Sequence, residues 1–238
     1  MNVLDLFSGI GGFSLGLERA GMRTVAFCES SSFCRRVLMR RWPGVHCYDD
    51  IRTLTADRLA ADGIAADVIC GGFPCQDISN AGKGAGIDGE RSGLWTEFAR
   101  IICEVRPRYV VVENVAALLN RGLDKILADL AALGFDAEWH CIPACAVGAP
   151  HRRDRVWIVA TMADAAAVGF QERHRLLTRR QIADAAAAAH AWWEFEPGMG
   201  RVADGIPDRV DRLKALGNAV VPQIAELIGH AIMRRQHV

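Results

Sequence analysis

A Pro-Cys pair, Pro74–Cys75, stands in the segment GGFPCQDIS (71–79), directly after the apolar run at 68–70. A thiol in a loop at the end of a strand lies at the rim of a sheet, where a lowered pKa turns it into a strong nucleophile. Most cysteines are inert packing, so the setting carries more weight than the residue. Glu113 closes the run YVVVE and opens the tripeptide ENV. A carboxyl held at a strand end with little water around it titrates high and can donate a proton. The bland alternative is an acid at a helix N-terminus. In PHRRDRVWIVA (150–160), Arg153 and Arg155 are two apart. On a strand that spacing puts both on one side, as a pair of cations facing a site or as a solvated basic edge.

Three further segments suit a ligand with hydroxyl and amine groups. DLFSGIGGFSLGL (5–17) places Gly9, Gly11 and Gly12 after an apolar run. There they allow a tight turn and a close backbone approach ahead of a helix N-terminus. Glu29 ends the next apolar run, where a carboxylate can accept both hydroxyls of a ribose, and Asp50–Ile51 falls where an adenine amine would be met. A glycine-rich turn alone is a weak signal; its pairing with Glu29 is a better one. Near the C-terminus, LGNAVVPQIAELIG (216–229) reads as a turn at Gly217–Asn218 before a helix, with helix capping a sufficient reason for the asparagine.

The elements that must position these residues follow from periodicity. Short apolar runs at 3–7, 24–28, 68–70, 109–112 and 155–160 predict strands, and amphipathic stretches at 12–20, 32–41, 94–105 and 118–133 predict helices. Strand–helix alternation indicates an α/β fold with a mostly parallel, doubly wound sheet, whose ligands sit at the carboxyl ends of the strands. Residues 1–160 therefore read as a catalytic domain. Residues 161–205 differ: they contain Ala-rich pieces, the basic cluster Arg173, His174, Arg175, Arg179 and Arg180, and the pair Trp192–Trp193. Residues 206–238 read as a C-terminal segment with a helix over 222–235.

The composition, 51% hydrophobic and 24% charged over 238 residues, is that of a globular domain. No apolar run approaches the roughly 20 residues of a membrane span. The start of the chain carries no basic leader or cleavage motif, so a cytoplasmic protein without membrane attachment is expected. The eight cysteines show no Cys-x2-Cys spacing, and neither zinc nor disulfides are expected. Net charge is zero but uneven: 15 Lys+Arg against 18 Asp+Glu in residues 1–150 (net −3), and 13 against 10 in residues 151–238 (net +3). The modest basic excess lies where a nucleic-acid-facing surface would be.

Taken in order, DLFSGIGG, Glu29, GGFPCQDIS, ENV, HRRDRVWIV and LGNAVVP resemble the DNA (cytosine-5)-methyltransferase family. The resemblance covers residues 1–160 almost continuously and 205–230 again. It implies a Rossmann-like class I methyltransferase fold in which residues 161–205 are a small, reduced target-recognition region and residues 206–238 return to the catalytic domain, with S-adenosylmethionine as methyl donor. By the same resemblance, Phe7, Gly9 and Gly11 surround the cofactor, Glu29 binds its ribose and Asp50 with Ile51 its adenine. Pro74, Leu94, Asn218 and Ala219 add further cofactor contacts. Ser30 departs from the pattern, since relatives often carry a large apolar or aromatic residue there, and this implies modest affinity. Cys75 matches the nucleophile that adds to C6 of a flipped-out cytosine, Glu113 the group assisting protonation at N3, and Arg153 and Arg155 the cations holding the base. Residues 80–93, with Lys83 and Arg91, resemble the loop that closes over the extruded base.

Relatives usually insert a long recognition region between HRRDRVWIV and LGNAVVP; here 55 residues separate Ala160 from Leu216. The expected partner is double-stranded DNA, gripped in part by Arg179 and Arg180, in a bacterial or phage-infected cell where a restriction endonuclease or phage partner would fit. Two other readings stand beside this one. An RNA cytosine-5 methyltransferase is disfavoured because the Cys-Phe-Thr tripeptide of the tRNA-methylating relatives is absent. A non-catalytic or partner-dependent DNA-binding remnant is disfavoured because Cys75, Glu113 and both arginines are intact.

Overall fold

In a computed structural model, described over residues 1–74, 93–163 and 209–235, seven strands form one sheet. They are β1 (Asn2–Leu6), β2 (Arg23–Cys28), β3 (His46–Tyr48), β4 (Val68–Gly71), β5 (Tyr109–Val115), β6 (Phe135–Pro143) and β7 (Asp154–Met162). Their order is β3-β2-β1-β4-β5-β7-β6. The first five are mutually parallel, whereas β7 runs antiparallel to both β5 and β6. The fold is thus α/β and mostly parallel, as expected, with an antiparallel pair at one edge. The strand order reverses between β1 and β4, the switch point at which such sheets open a crevice.

Alternation along the strands divides the core in two. Leu4, Leu6, Ile69, Val110, Val112, Val156 and Ile158 face one layer. It contains α3 (Ala56–Ala61), α4 (Leu94–Val105) and α5 (Leu123–Ala132). Val3, Val68, Cys70, Val111, Trp157 and Val159 face the other, formed by α1 (Gly12–Arg19) and the C-terminal helix α7 (Pro222–Arg235). Trp95 and Phe98 on α4 and Trp157 on β7 are fully buried, and each buried side chain of this size stabilises the fold by about 1.5–3 kcal/mol. α2 (Ser32–Arg41) packs Leu38 with Phe27 and Trp42 in a smaller third cluster. Its N-cap Ser31 accepts the Cys34 amide, a cap worth about 1 kcal/mol.

The structure departs from expectation in four places. β3, α3 and β6 carry no expected signal, because the first two are short and β6, FDAEWHCIP, interleaves charges on an edge strand. The helix expected over 118–133 is broken into a 3-10 turn (Ala116–Asn120) and α5, with Gly122 at φ 137° between them. Gly217–Asn218 is the end of a helix, α6 (Arg209–Asn218), and not a turn preceding one. Of the cysteines, Cys103, Cys141 and Cys145 are exposed, while Cys28, Cys34 and Cys70 are buried as small apolar side chains should be.

Candidate active site

The glycine segment after β1 is built on backbone conformations that side chains resist. Gly9 and Gly11 have φ of 54° and 85°, and Phe7 adopts φ 53° without being glycine. A positive φ at a bulky residue costs about 1–3 kcal/mol and concentrates at functional loops. Gly11 can carry no side chain, since a Cβ there would lie 2.6 Å from the Trp42 indole, whereas a Cβ on Gly9 would meet nothing within 4 Å among the described residues. Among those residues, the Gly9 side of the turn faces open space. Below it, Asp5 is fully buried and its Oδ2 accepts the Ser14 hydroxyl at 2.7 Å and the Ser14 amide at 3.3 Å, tying β1 to α1. Burial pushes the Asp5 carboxyl up to about 7, against the lowering effect of the Ser14 bonds.

Glu29 lies just beyond β2 and holds this turn. Its Oε2 accepts the Gly9 amide at 2.7 Å and its Oε1 the Ser31 amide at 2.7 Å. Arg35 donates to the carbonyls of Glu29 and Ser30 at 2.9 and 2.7 Å, so the start of α2 is fixed around the carboxylate. Asp50 closes its own turn through the Arg52 amide at 2.9 Å. The Ile51 side chain is buried in the core, and its carbonyl accepts Arg100 at 2.8 Å. Leu94, the first residue of α4, packs partly buried against the same core.

Across the switch point, β4 delivers Gly71 to Pro74 to the rim. Cys75 lies outside the described residues, as do Lys83, Arg91, Arg179 and Arg180. Glu113 ends the row Tyr109, Val111, Glu113 on β5, and the antiparallel register pairs it with Trp157 and sets Arg155 opposite Val115. Arg155 Nε lies 2.9 Å from Glu113 Oε1. Glu113 is 8% exposed, and burial raises its pKa in spite of the lowering effect of Arg155 and Arg153. A Cβ on Gly72 would sit 2.9 Å from Glu113 Oε2, so the loop leading to Cys75 presses its bare backbone against this carboxyl.

The expected pairing of Arg153 with Arg155 on one strand face does not occur. Arg153 precedes β7, has φ 38° and turns its guanidinium to the C-terminal segment. Its Nη1 donates to the Gly217 carbonyl at 2.7 Å and its Nη2 to the Ala219 carbonyl at 2.9 Å. Asn218 is exposed and Ala219 half-buried beside this contact. That segment crosses the start of α1, where a Cβ on Gly12 would lie 2.6 Å from the Val220 carbonyl.

Several positioning residues went unassigned in the sequence. Asn114 is buried; its Nδ2 donates to the Phe73 carbonyl at 3.2 Å and its Oδ1 accepts the Val115 amide at 2.8 Å, fixing the loop before Cys75 to the end of β5. Its place inside ENV is the available signal. Asp5 likewise stands at the head of DLFSGIGG. The contacts of Glu18 with Trp42 Nε1 at 2.9 Å and of Arg100 with the Leu54 and Ile51 carbonyls give no local signal, because they join positions 24, 46 and 49 residues apart in the chain.

A seven-stranded, mostly parallel sheet with β7 inserted antiparallel between β5 and β6 and a glycine turn after β1 is a Rossmann-like fold, shared with solved methyltransferases. The model of the C-5 cytosine-specific DNA methylases matches residues 1–190, and the chain belongs to that family. It is 38% identical over 170 residues to the Type II methyltransferase M2.BsuMI of Bacillus subtilis, covering 68% of this chain and 42% of that one. It is 36% identical over 173 residues to M.Eco47II of Escherichia coli, covering 69% and 40%. The chain thus spans well under half the length of these two relatives. Among solved structures, one described as a DNA modification methyltransferase encoded within an E. coli prophage superposes with a TM-score of 0.59 at 26% identity, covering 68% of this chain and 47% of that one. The Entamoeba histolytica methyltransferase EhMeth superposes with a TM-score of 0.71 at 12% identity, covering 99% and 98%, a likeness of fold alone.

Proposed function

We propose that the protein transfers a methyl group from S-adenosylmethionine to C5 of cytosine in double-stranded DNA, with Cys75 as covalent nucleophile. The observation that carries this reading is the juxtaposition of the Glu113–Arg155 pair with the loop leading into Cys75, across the switch point from the Glu29-held glycine turn. The turn fits the cofactor: Gly9 faces open space among the described residues, Glu29 and Asp50 supply acceptors for hydroxyl and amine donors, and Phe7, Pro74 and Leu94 supply apolar flanks. Bound there, S-adenosylmethionine supplies a methyl group on a sulfonium.

C5 of cytosine is too weak a nucleophile to take that methyl group unaided. The Cys75 thiolate adds to C6, and the electron pair displaced from the C5–C6 bond makes C5 nucleophilic. Glu113, made easier to protonate by burial, supports the proton at N3 while Arg155 holds its carboxyl in place. Loss of the C5 proton after transfer then restores the double bond and expels Cys75. The base must leave the duplex to be reached, at a cost of about a few kcal/mol. Asn114 keeps the Phe73 end of the nucleophile loop in register with Glu113. The setting is the bacterial cytoplasm, in a restriction-modification context shared with the Type II relatives; among the described residues no helix is long and apolar enough to cross a membrane.

The test is trapping on DNA containing 5-fluorocytosine, whose fluorine blocks the final elimination. The wild-type protein with S-adenosylmethionine should form a covalent adduct resistant to denaturation, and Cys75→Ser should form none while still folding. No adduct on any DNA, or an equal adduct with Cys75→Ser, would overturn the proposal; an adduct on RNA alone would move the substrate class.

A further inference from the structure

Arg153 stands where a base-holding cation was expected, yet both ends of its guanidinium fork are committed to the C-terminal segment. It reaches 64 and 66 residues along the chain to the carbonyls of Gly217 and Ala219, at 2.7 and 2.9 Å. Its backbone sits at φ 38°, so the chain leaves the strand alternation that would have stacked it on Arg155. Among the described residues from Val210 to Asn218, only Ala215 is buried. Immediately downstream the fit is unforgiving. The Val220 carbonyl faces the bare Cα of Gly12 and the Pro222 carbonyl that of Gly16, with no room for a Cβ at either glycine. A guanidinium fork is well shaped to fix two carbonyls at once, which a single ammonium cannot do.

We infer that Arg153 is a positioning residue of the cofactor site: its fork clamps the Gly217–Ala219 turn and thereby presets Asn218 and Ala219 as a wall of the crevice before DNA arrives. The inference rests on the cofactor reading given above. It assigns the Arg153 fork to the cofactor side of the site, while Arg155 is the arginine paired directly with Glu113. Because every contact in the clamp lies within the protein, its effect belongs to the DNA-free state.

The experiment is titration of the DNA-free protein with S-adenosylmethionine, followed by calorimetry or tryptophan fluorescence. The variants are Arg153→Met, Arg153→Lys, Asn218→Ala and the double variant Arg153→Met/Asn218→Ala, with Arg152→Ala as a neighbouring loss of charge. Arg153→Met should weaken binding roughly tenfold, the scale of losing a charge-assisted pair of hydrogen bonds. Arg153→Lys, able to serve one carbonyl at a time, should fall between it and wild type, and Arg152→Ala should bind as wild type does. In the Asn218→Ala background most of the Arg153→Met effect should vanish, since the clamp acts through that turn. Wild type that binds, with Arg153→Met and Arg153→Lys within twofold of it, would overturn the clamp while leaving the cofactor reading intact. Full additivity in the double variant would also overturn it. Wild type that fails to bind at millimolar cofactor would instead overturn the cofactor reading itself. Should Arg153→Met fail to fold, Arg153→Lys decides between the same outcomes.

Discussion

Glu29 and Glu113 both sit at strand ends along one rim, and their surroundings prepare them for opposite work. Glu29 is half-buried, and backbone amides, Gly9 and Ser31, hold one oxygen each. Each oxygen keeps a lone pair free for a further donor, which suits an acceptor of hydroxyls. Glu113 is nearly sealed from water, and its partner is the Arg155 guanidinium. Burial outweighs that cation and raises the pKa, which suits a group that must handle a proton. The type of residue is the same; solvent access and the kind of donor set the chemistry.

The largest test of this contrast is Glu113→Gln. It keeps the shape but removes both the proton and the charge facing Arg155, and it should lower the methylation rate by about 10²-fold or more. In wild type, the rate should fall as pH rises through a pKa above the ordinary carboxylate range, because the protonated form is the useful one, and that limb should be absent in Glu113→Gln. A rate within twofold of wild type would remove Glu113 from the chemistry. Glu29→Ala should act on the other side of the contrast. S-adenosylmethionine should raise the melting temperature of wild type, and Glu29→Ala should cut this shift, with affinity roughly tenfold weaker from the loss of charge-assisted bonds. An unchanged shift would mean that Glu29 serves only the glycine turn.

A third carboxyl beneath the same turn, Asp5, is buried like Glu113 but faces Ser14 instead of a cation. Its folded pKa of about 7 lies above the ordinary value of 3.8. Between those values the folded protein binds the extra proton, so Asp5 makes stability fall as pH rises from about 4 to about 7, with no further change above. Asp5→Asn should flatten that slope. The readout is melting temperature against pH, at about 2–4 °C per kcal/mol for a chain of this size. An identical slope in both proteins would show that Asp5 does not titrate in this window.

The legible part of the molecule is local. Apolar runs and glycines announced β1, β2, β4, β5 and β7 and the turn after β1, because a buried parallel strand needs a run of apolar side chains and a positive φ favours glycine. Helices α2 and α4 begin and end where their amphipathic patterns do. Elements without a pattern of their own, the three-residue β3 and the charged edge strand β6, were invisible for the same reason.

The sequence by itself determined the order of motifs, the residue types at the rim and the family to which they belong. It could not determine which side chains meet. β7 runs antiparallel, so Arg155 and Val156 near its start lie beside Val115 and Asn114 at the end of β5, and this reversal alone brings Arg155 to Glu113. Arg153 obeys no strand periodicity, because its left-handed backbone turns it to carbonyls 64 and 66 residues away. Spacing along a chain reports neighbours within one element. Contacts between elements follow from strand order and direction, which are set when two faces of the sheet must be covered at once.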